Sequence, residues 1–199
     1  MRAMLIGRGL WFAAALSIAG CVSVLPEPES PEALYRIEAA DMRQDLPVNL
    51  VVREPDAAQI IAGQALVSVD ASGAIRLVRS VEWSGRSTRL LQLALVDSFS
   101  MNGDGAALLP ETAVTAQYEL ISRVQAFELR GEEAICELSV SIVHKGTHAL
   151  VEQTEVSAQR SAESDRAPAR AAALKNAGEA CIAQMAEFAA VTLSERAGS

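Results

Sequence analysis

Strict alternation of apolar and polar residues marks the strands that this sequence predicts, because successive side chains of a strand point to opposite faces. Short alternating or β-branched segments occupy the first half of the chain, at residues 35–39, 48–52, 65–70 and 74–78. The last two flank Ala71-Ser72-Gly73, a small turn that predicts a hairpin. Three longer alternating segments occupy the second half, at about residues 116–130, 132–145 and 147–160.

These longer segments predict an antiparallel meander whose turns lie at Gly131-Glu132 and Gly146. The middle strand collects its apolar side chains on one face, namely Ala134, Cys136, Leu138, Val140 and Ile142. The first strand is less regular, since one pair of apolar residues points opposite to another, Leu120 and Val124 against Phe127 and Leu129. We therefore expect either a β-bulge or a strand buried on both sides there.

A first helix is predicted from Ser87 to about Met101, because its apolar residues recur at helical spacing. They form one stripe, Leu90, Leu91, Ala94, Leu95 and Phe99. Ser84 or Ser87 can cap the start of this helix, and Asn102-Gly103 supplies a left-handed stop.

A second, alanine-rich helix is predicted to follow Ser164 or Asp165, to carry Pro168 in its first turn and to run to about Ser194. Its core stripe recurs at spacings of three and four, at Leu174, Gly178, Cys181, Met185 and Phe188. The order strands, helix, strands, helix predicts an α+β fold with two layers, a mainly antiparallel sheet with two helices packed on one face.

The N-terminal segment predicts export. Arg2 and Arg8 precede an uncharged run of about 12 residues, which is too short to span a bilayer and fits a signal peptide at residues 1–20. Ile18-Ala19-Gly20-Cys21 resembles a bacterial lipobox, in which the new N-terminal cysteine is acylated. Val22, and not Asp, follows the cysteine, and in the enterobacterial sorting pattern this implies the outer membrane, with the chain facing the periplasm; the inner membrane is the alternative.

Residues 21–32 are rich in Pro and Glu and predict a lipidated, extended tether. We expect one folded domain over residues 33–199, held at the membrane by the lipid on Cys21. The signal peptide carries two of the basic residues and none of the acidic ones, so a formal net charge of −8 becomes about −10 once it is removed. This acidic balance argues against a nucleic-acid partner, because nucleic-acid binding relies on Lys and Arg neutralising phosphates.

The mature chain resembles the ABC-type transport auxiliary lipoprotein family, which contains the PqiC-like proteins. The likeness rests on Cys21, on Leu25 to Pro28 leading to Tyr35-Arg36-Ile37, on Val81 to Ser84, and on Arg89 to Phe99. The core of this motif consists of Trp83, Leu90, Leu91, Gln92 and Leu95. One departure stands near the C terminus, where Glu187-Phe188-Ala189-Ala190-Val191 replaces a segment that in the family often carries tryptophan.

The resemblance implies a non-catalytic subunit of an Mce-type ABC transport system that moves lipids between the inner and outer membranes and supports outer membrane integrity. The implied partners are an Mce (MlaD-like) substrate-binding protein with its ABC permease and ATPase, and a homo-oligomer is compatible with this role. An edge or the outer face of the sheet would be the partner surface. Two alternatives stay open: a periplasmic carrier that holds lipid between sheet and helices, and a structural lipoprotein of outer membrane assembly.

Cys136 and Cys181 are the remaining cysteines once Cys21 carries lipid, and each lies on the predicted core face of its element. A helix packed over a strand can bring two such residues within bonding distance, and an exported protein meets an oxidising compartment. The sequence therefore predicts a disulfide between them, with two buried thiols as the alternative.

The other candidate residues favour structure over chemistry. His144 and His148 flank Gly146 and are interpreted as exposed turn residues, and Trp83 as a plug of the core. Arg160, Arg166 and Arg170 form a predicted basic patch at the start of the last helix. Neither a nucleophile motif nor a phosphate-binding glycine loop is present in the sequence, so we expect no catalytic residue, no metal and no cofactor.

Overall fold

The computed structural model describes residues 30–198, which form eight strands and three helices. The signal peptide, Cys21 and most of the tether lie outside the described residues. In chain order the elements are β1 (Ala33–Tyr35), β2 (Leu50–Val52), α1 (Gln59–Ala62), β3 (Ala65–Val69), β4 (Ile75–Trp83), α2 (Ser87–Asp97), β5 (Ala107–Leu108), β6 (Tyr118–Arg130), β7 (Glu133–His144), β8 (Ala149–Ser161) and α3 (Ala167–Ala197).

The predicted meander of β6, β7 and β8 is confirmed and forms the larger part of one eight-stranded sheet. β6 pairs with β7 along one edge, and along its other edge with β2 near one end and β3 near the other. The predicted hairpin is β3 and β4. The short strands β1, β2 and β5 add parallel pairings that the sequence did not predict.

A β-bulge in β6 explains the irregular pattern of that strand. The register with β7 shifts between Val124 and Ala126. Of the two expectations for this strand, a bulge or burial on both sides, the bulge is confirmed. Because the extra residue reverses the phase, Val124 and Phe127 both point to the inner face, against Leu138 and Cys136 of β7. The five apolar residues of β7 named above are fully buried on that same face.

Helix α3 lies close to the inner face of the sheet because small residues line its contact side. Ala171, Ala177, Gly178 and Ala186 are all buried there. A Cβ on Gly178 would lie 3.1 Å from a ring carbon of Phe127, so only glycine fits at this spacing without displacing the ring. The layer between α3 and the sheet is therefore filled by side chains.

Helix α2 is shorter than predicted and begins differently. It ends at Asp97, and the amide of Ser98 donates to the carbonyl of Leu95, so Asn102-Gly103 is not its stop. Its N-cap is Arg86, without a side-chain cap bond, and the Ser87 hydroxyl instead donates to the carbonyl of Ile61 in α1. The predicted caps were wrong because tertiary contacts use these groups.

The start of α3 also corrects the prediction. Its N-cap is Arg166 rather than Ser164 or Asp165, again without a side-chain cap bond, whereas Pro168 does lie in the first turn as expected. The helix continues to Ala197, three residues beyond the expected Ser194. Since α3 packs over β7 and β8 and α2 packs beside it, the predicted α+β fold is confirmed.

Helix α3 holds the first part of the described chain, around Tyr35 and Glu38, through hydrogen bonds and an ion pair. The Tyr35 hydroxyl donates to the carbonyl of Pro168 at 3.1 Å. Lys175 donates to Glu38 at 3.0 Å and pairs with Glu179 at 2.7 Å. Although partial burial opposes the charge, these two carboxylates raise the pKa of Lys175, and its hydrogen bond in turn lowers the pKa of Glu38.

Candidate functional site

Trp83 is the largest fully buried side chain and joins the β4 strand to the layer under α3. Its ring stacks on Phe127 with 5.3 Å between ring centroids and 15° between the planes. Phe127 in turn touches the position of Gly178 on α3. Trp83 therefore is a core plug, as interpreted from the sequence, and it presents no surface to a ligand or partner.

Gln92 is a buried polar residue whose amide holds α2 against the sheet. Its Nε2 donates to the carbonyl of Val52 in β2 at 2.8 Å, and its Oε1 accepts from Arg89 at 2.6 Å. Arg89 also pairs with Glu111 at 3.3 Å. A buried polar group is tolerated only when it is hydrogen-bonded, so this network makes Gln92 a fixed structural contact.

The leucines of the same motif complete this contact. Leu91 and Leu95 are 1% exposed, and Leu90 is half-buried at the edge of the core. All five residues at the core of the family motif thus serve the packing of α2 and β4. The motif therefore stabilises the core, and the surface that could bind a partner is formed by other elements.

Cys136 and Cys181 meet across the interface of β7 and α3. Both are fully buried and both are free thiols, so the structure does not contain the predicted disulfide. The Cys181 thiol lies 3.3 Å from the carbonyl oxygen of Cys136 and donates to it. A hydrogen bond with Cys181, together with burial, raises the pKa of Cys136. The predicted contact between the two elements is present, and the bond stays a prediction.

The expectation of two exposed turn histidines holds only for His148, because His144 is the last residue of β7 and is half-buried. His144 packs edge-on against Tyr118 at 5.5 Å between ring centroids, and its Nδ1 accepts the amide of Thr147. His148 is exposed and has a positive φ of 55°. Within residues 30–198 no three His, Cys, Asp or Glu side chains are grouped as a metal site.

The three arginines do not line one common surface. Arg170 donates to the Ser68 hydroxyl at 2.7 Å and lines an open cavity of about 700 Å³ at the start of α3. Arg160 lines a different groove, with Asn176 and Glu179. The 700 Å³ cavity also contains Asp70, Glu132 and Asp165, so its charge is mixed.

One edge of the sheet has no neighbouring strand among the described residues. β8 has 13 residues and, among the described strands, pairs only with β7. Two of its carbonyls are bonded by α3 side chains, that of Ser157 by Gln184 at 2.9 Å and that of Val151 by Arg196 at 3.4 Å. An edge strand of this length is a template on which an extended segment of another chain can add.

A shallow groove of about 310 Å³ runs between this edge and the second half of α3. Its apolar part is Val156, Phe188 and Val191, and Val191 is 53% exposed. Glu155 and Glu187 add two carboxylates. We call this surface the β8–α3 groove; the sequence named Phe188 and Val191 as a departure from the family, but not the strand that lies beside them.

The comparison with family models decides the kinship of the chain. Residues 34–186 match the model of the ABC-type transport auxiliary lipoprotein component. The chain belongs to this family. The match covers the body from β1 to the second half of α3, so it includes the packing of Trp83 and Gln92 around α2, called here the α2 contact. It includes only half of the residues that line the β8–α3 groove, because Glu187, Phe188, Val191 and Thr192 lie beyond its end.

Solved structures share the fold of this family member. The crystal structure of protein XCC0632 from Xanthomonas campestris is similar, with a TM-score of 0.75, 19% sequence identity, and coverage of 86% of this chain and 100% of that one. A crystal structure of an uncharacterised protein matches with a TM-score of 0.60 and 13% identity, covering 84% of this chain and 99% of that one. No curated protein matches the chain significantly.

The family description agrees with the coarse function expected from the sequence, that of an auxiliary lipoprotein of ABC-type transport. Cys21, the expected lipidation site, lies outside the described residues. Over residues 30–198 no helix combines the length and the apolar character needed to cross a membrane.

Proposed function

We propose that the protein is a non-catalytic subunit of an Mce-type ABC transport system, facing the periplasm from the outer membrane and helping to move lipids between the two membranes. Residues 1–20 are the signal peptide, Cys21 carries the lipid, residues 21–32 form the tether, and residues 33–199 form the functional domain. Family membership over residues 34–186 carries this proposal, and the lipobox at Cys21 supports the anchor.

The partner surface in this proposal is the β8–α3 groove with the open edge of β8. An extended segment of the Mce protein would add to the edge through its backbone and would place an apolar side chain against Phe188 and Val191. Glu155 and Glu187 favour a segment that also carries Lys or Arg, because opposite charges at the rim increase the rate of association and its specificity.

A lipid carrier is the less favoured role because the space between helix and sheet is filled. A carrier needs an apolar pocket of several hundred Å³ that encloses most of its ligand. Here a carbon added to Gly178 would already press on the Phe127 ring at 3.1 Å, and Trp83 stacks on the same ring. The two larger cavities of the described residues lie at the surface instead of between helix and sheet, and each includes charged side chains in its lining, such as Asp70 and Arg130 in one and Arg79 and Glu82 in the other.

The test compares two substitutions in the full-length, membrane-anchored protein. Val191→Lys places a cation in the β8–α3 groove, and Val114→Lys is the matched control, since Val114 is 49% exposed and lies outside the groove. After affinity purification from detergent extracts, we expect the wild type and Val114→Lys to retain an Mce-domain protein and Val191→Lys to lose most of it. The co-purified proteins are identified by mass spectrometry.

Other outcomes contradict specific parts of the proposal. Retention of the Mce protein by Val191→Lys would overturn the groove as its contact surface. A barrel protein in place of an Mce protein would favour outer membrane assembly, and one tightly held lipid per chain would favour the carrier. A gene deletion that leaves the outer membrane barrier unchanged, although deletion of the cognate transporter weakens it, would overturn the transport role.

A further inference from the structure

Cys136 and Cys181 are in contact although they belong to different layers of the fold. Cys136 lies in the middle of the buried face of β7, and Cys181 lies on the contact side of α3. The thiol of Cys181 is 3.3 Å from the carbonyl oxygen of Cys136, and neither residue is exposed to solvent. The two side chains therefore occupy one shared site in the centre of the core.

The close approach of the helix makes this contact possible. Ala177 and Gly178 precede Cys181 on the same side of α3, and both are buried. Larger side chains there would hold the helix farther from β7, and cysteine is too short to bridge a wide layer. The small residues thus bring the Cys181 sulfur to 3.3 Å from the backbone oxygen of Cys136, and a disulfide likewise needs two cysteine backbones that approach closely.

We propose that Cys136 and Cys181 are joined in the exported protein by a disulfide bond that links α3 to the centre of the sheet. This inference rests on the proposed export, because disulfides form and persist in oxidising compartments. Cys21 would carry lipid and leave these two as the free cysteines of the mature chain. Two cysteines are then available, which is the number that one intramolecular disulfide requires.

The bond forms by thiol–disulfide exchange with a disulfide-bonded oxidoreductase of that compartment. The thiolate of one cysteine attacks the oxidoreductase disulfide, forms a mixed disulfide and releases one oxidoreductase thiolate. The thiolate of the other cysteine then attacks the protein sulfur of the mixed disulfide and releases the second. Two protons leave the protein thiols, and two electrons reduce the oxidoreductase to its dithiol form.

Burial determines when this exchange takes place. Neither sulfur is exposed once α3 covers β7, and the environment raises the pKa of Cys136, which disfavours its reactive thiolate. The exchange therefore precedes the final docking of α3. After folding, the bond is shielded from reductants, and its reduction requires local opening of the helix.

The decisive experiment counts free thiols in the full-length chain purified from the membrane fraction. The protein is unfolded in guanidinium chloride with an alkylating reagent, with or without prior reduction, and its mass is measured. We expect no alkylation of Cys136 or Cys181 without reductant and two alkylations after reduction. Cys136→Ala and Cys181→Ala should each show one alkylated thiol without reductant.

A thermal measurement provides the second readout. The two cysteines are 45 positions apart, and closing a loop of this size is expected to raise Tm by about 5–15 °C. Unfolding in the presence of reductant should lower the Tm of the wild type by this amount. Both alanine variants should show no effect of reductant, even though each also loses packing in the core.

Two alkylated thiols in membrane-anchored, acylated wild type would overturn the disulfide and leave the export proposal intact. If the mass instead shows an unmodified Cys21 with the signal peptide retained, the export proposal fails. The disulfide is then decided by refolding the same chain in a glutathione redox buffer. Formation of an intramolecular 136–181 bond there supports the geometric inference, and persistence of two free thiols overturns it.

Discussion

Two regions of this protein use helix surfaces in opposite ways. In the α2 contact, Trp83 and Gln92 are about 1% exposed. Both the nitrogen and the oxygen of the Gln92 amide are hydrogen-bonded to other groups of the protein. In the β8–α3 groove, Val191 is 53% exposed beside a strand edge that pairs with no further strand within residues 30–198. The residues that reveal the family build the core, and the surface suited to a partner lies elsewhere.

This difference predicts that the α2 contact controls folding and that the groove controls binding. The substitutions that follow test that separation.

Trp83→Ala should cause the largest loss, about 3–5 kcal/mol, because it removes the stacked ring and leaves a cavity beside Phe127. Equilibrium unfolding in urea measures the change. Met42→Ala, at a side chain that is 78% exposed, is the control and should change stability by less than about 0.5 kcal/mol. A loss below about 1 kcal/mol for Trp83→Ala would contradict the assignment of this side chain to the core.

Gln92→Leu should cost about 1–3 kcal/mol, because the carbonyl of Val52 would stay buried without its donor. The matched control is Gln153→Leu on β8, where the side chain is exposed. The same urea titration applies to both variants. Equal stabilities of the two would show that the amide of Gln92 contributes little to holding α2.

Val191→Lys should leave stability unchanged or raise it by about 0.3–0.5 kcal/mol, since Glu187 lies one turn earlier on α3 and can pair with the new cation. Binding of the Mce partner should nevertheless fall. A loss of both stability and binding would mean that the groove is part of the core, and the separation of the two regions would not hold.

Asp70→Asn tests a surface contribution that belongs to neither region. Hydrogen bonds from Ser72 and from the Ala74 amide, aided by Arg76, lower the pKa of Asp70 to about 2 from 3.8. The ionised carboxylate therefore stabilises the β3–β4 turn above about pH 4, and this contribution is lost as the pH falls toward 2. The difference in urea midpoint between wild type and Asp70→Asn should be small and constant above pH 4 and should shrink below it.

The long periodic elements could be predicted from the sequence because each presents one face to one environment. The alternation in β7 is confirmed, and four of the five predicted stripe residues of α3 are buried, whereas Phe188 is half-buried and lines the β8–α3 groove. The β6 bulge could be anticipated because two phases of apolar residues met within one strand. Among the short strands, β2 lies within the predicted segment 48–52, whereas β1 overlaps the predicted segment 35–39 only at Tyr35 and β5 was not predicted.

Helix ends and one close loop contact depended on tertiary structure. Ser87 was available as a cap by sequence, but its hydroxyl bonds the carbonyl of Ile61. Gly103 was expected to end α2, yet the loop that contains it packs against residues 45–48, where a Cβ on Gly105 would lie 2.1 Å from the carbonyl carbon of Val48. Such contacts join distant segments and leave no local periodic signal.

In the candidate site, too, local patterns predicted one feature, and tertiary packing determined the other. The contact of Cys136 with Cys181 followed from the faces on which the two residues lie. The β8–α3 groove combines residues 154–156 with residues 184–192, and its shape depends on how α3 crosses the edge of the sheet. A departure from the family pattern at residues 187–191 was the only signal in the sequence that pointed there.

Helix α3 also fixes the distance between its contact with Tyr35 and the β8–α3 groove. Its first turn receives the hydroxyl of Tyr35, which lies just beyond the proposed tether, while the β8–α3 groove begins 16 residues later at Gln184. At 1.5 Å per residue, the groove extends from about 24 to about 36 Å along the helix from Pro168. A helix of this length keeps a fixed distance between the point where the described chain emerges beside Pro168 and any strand bound in the groove.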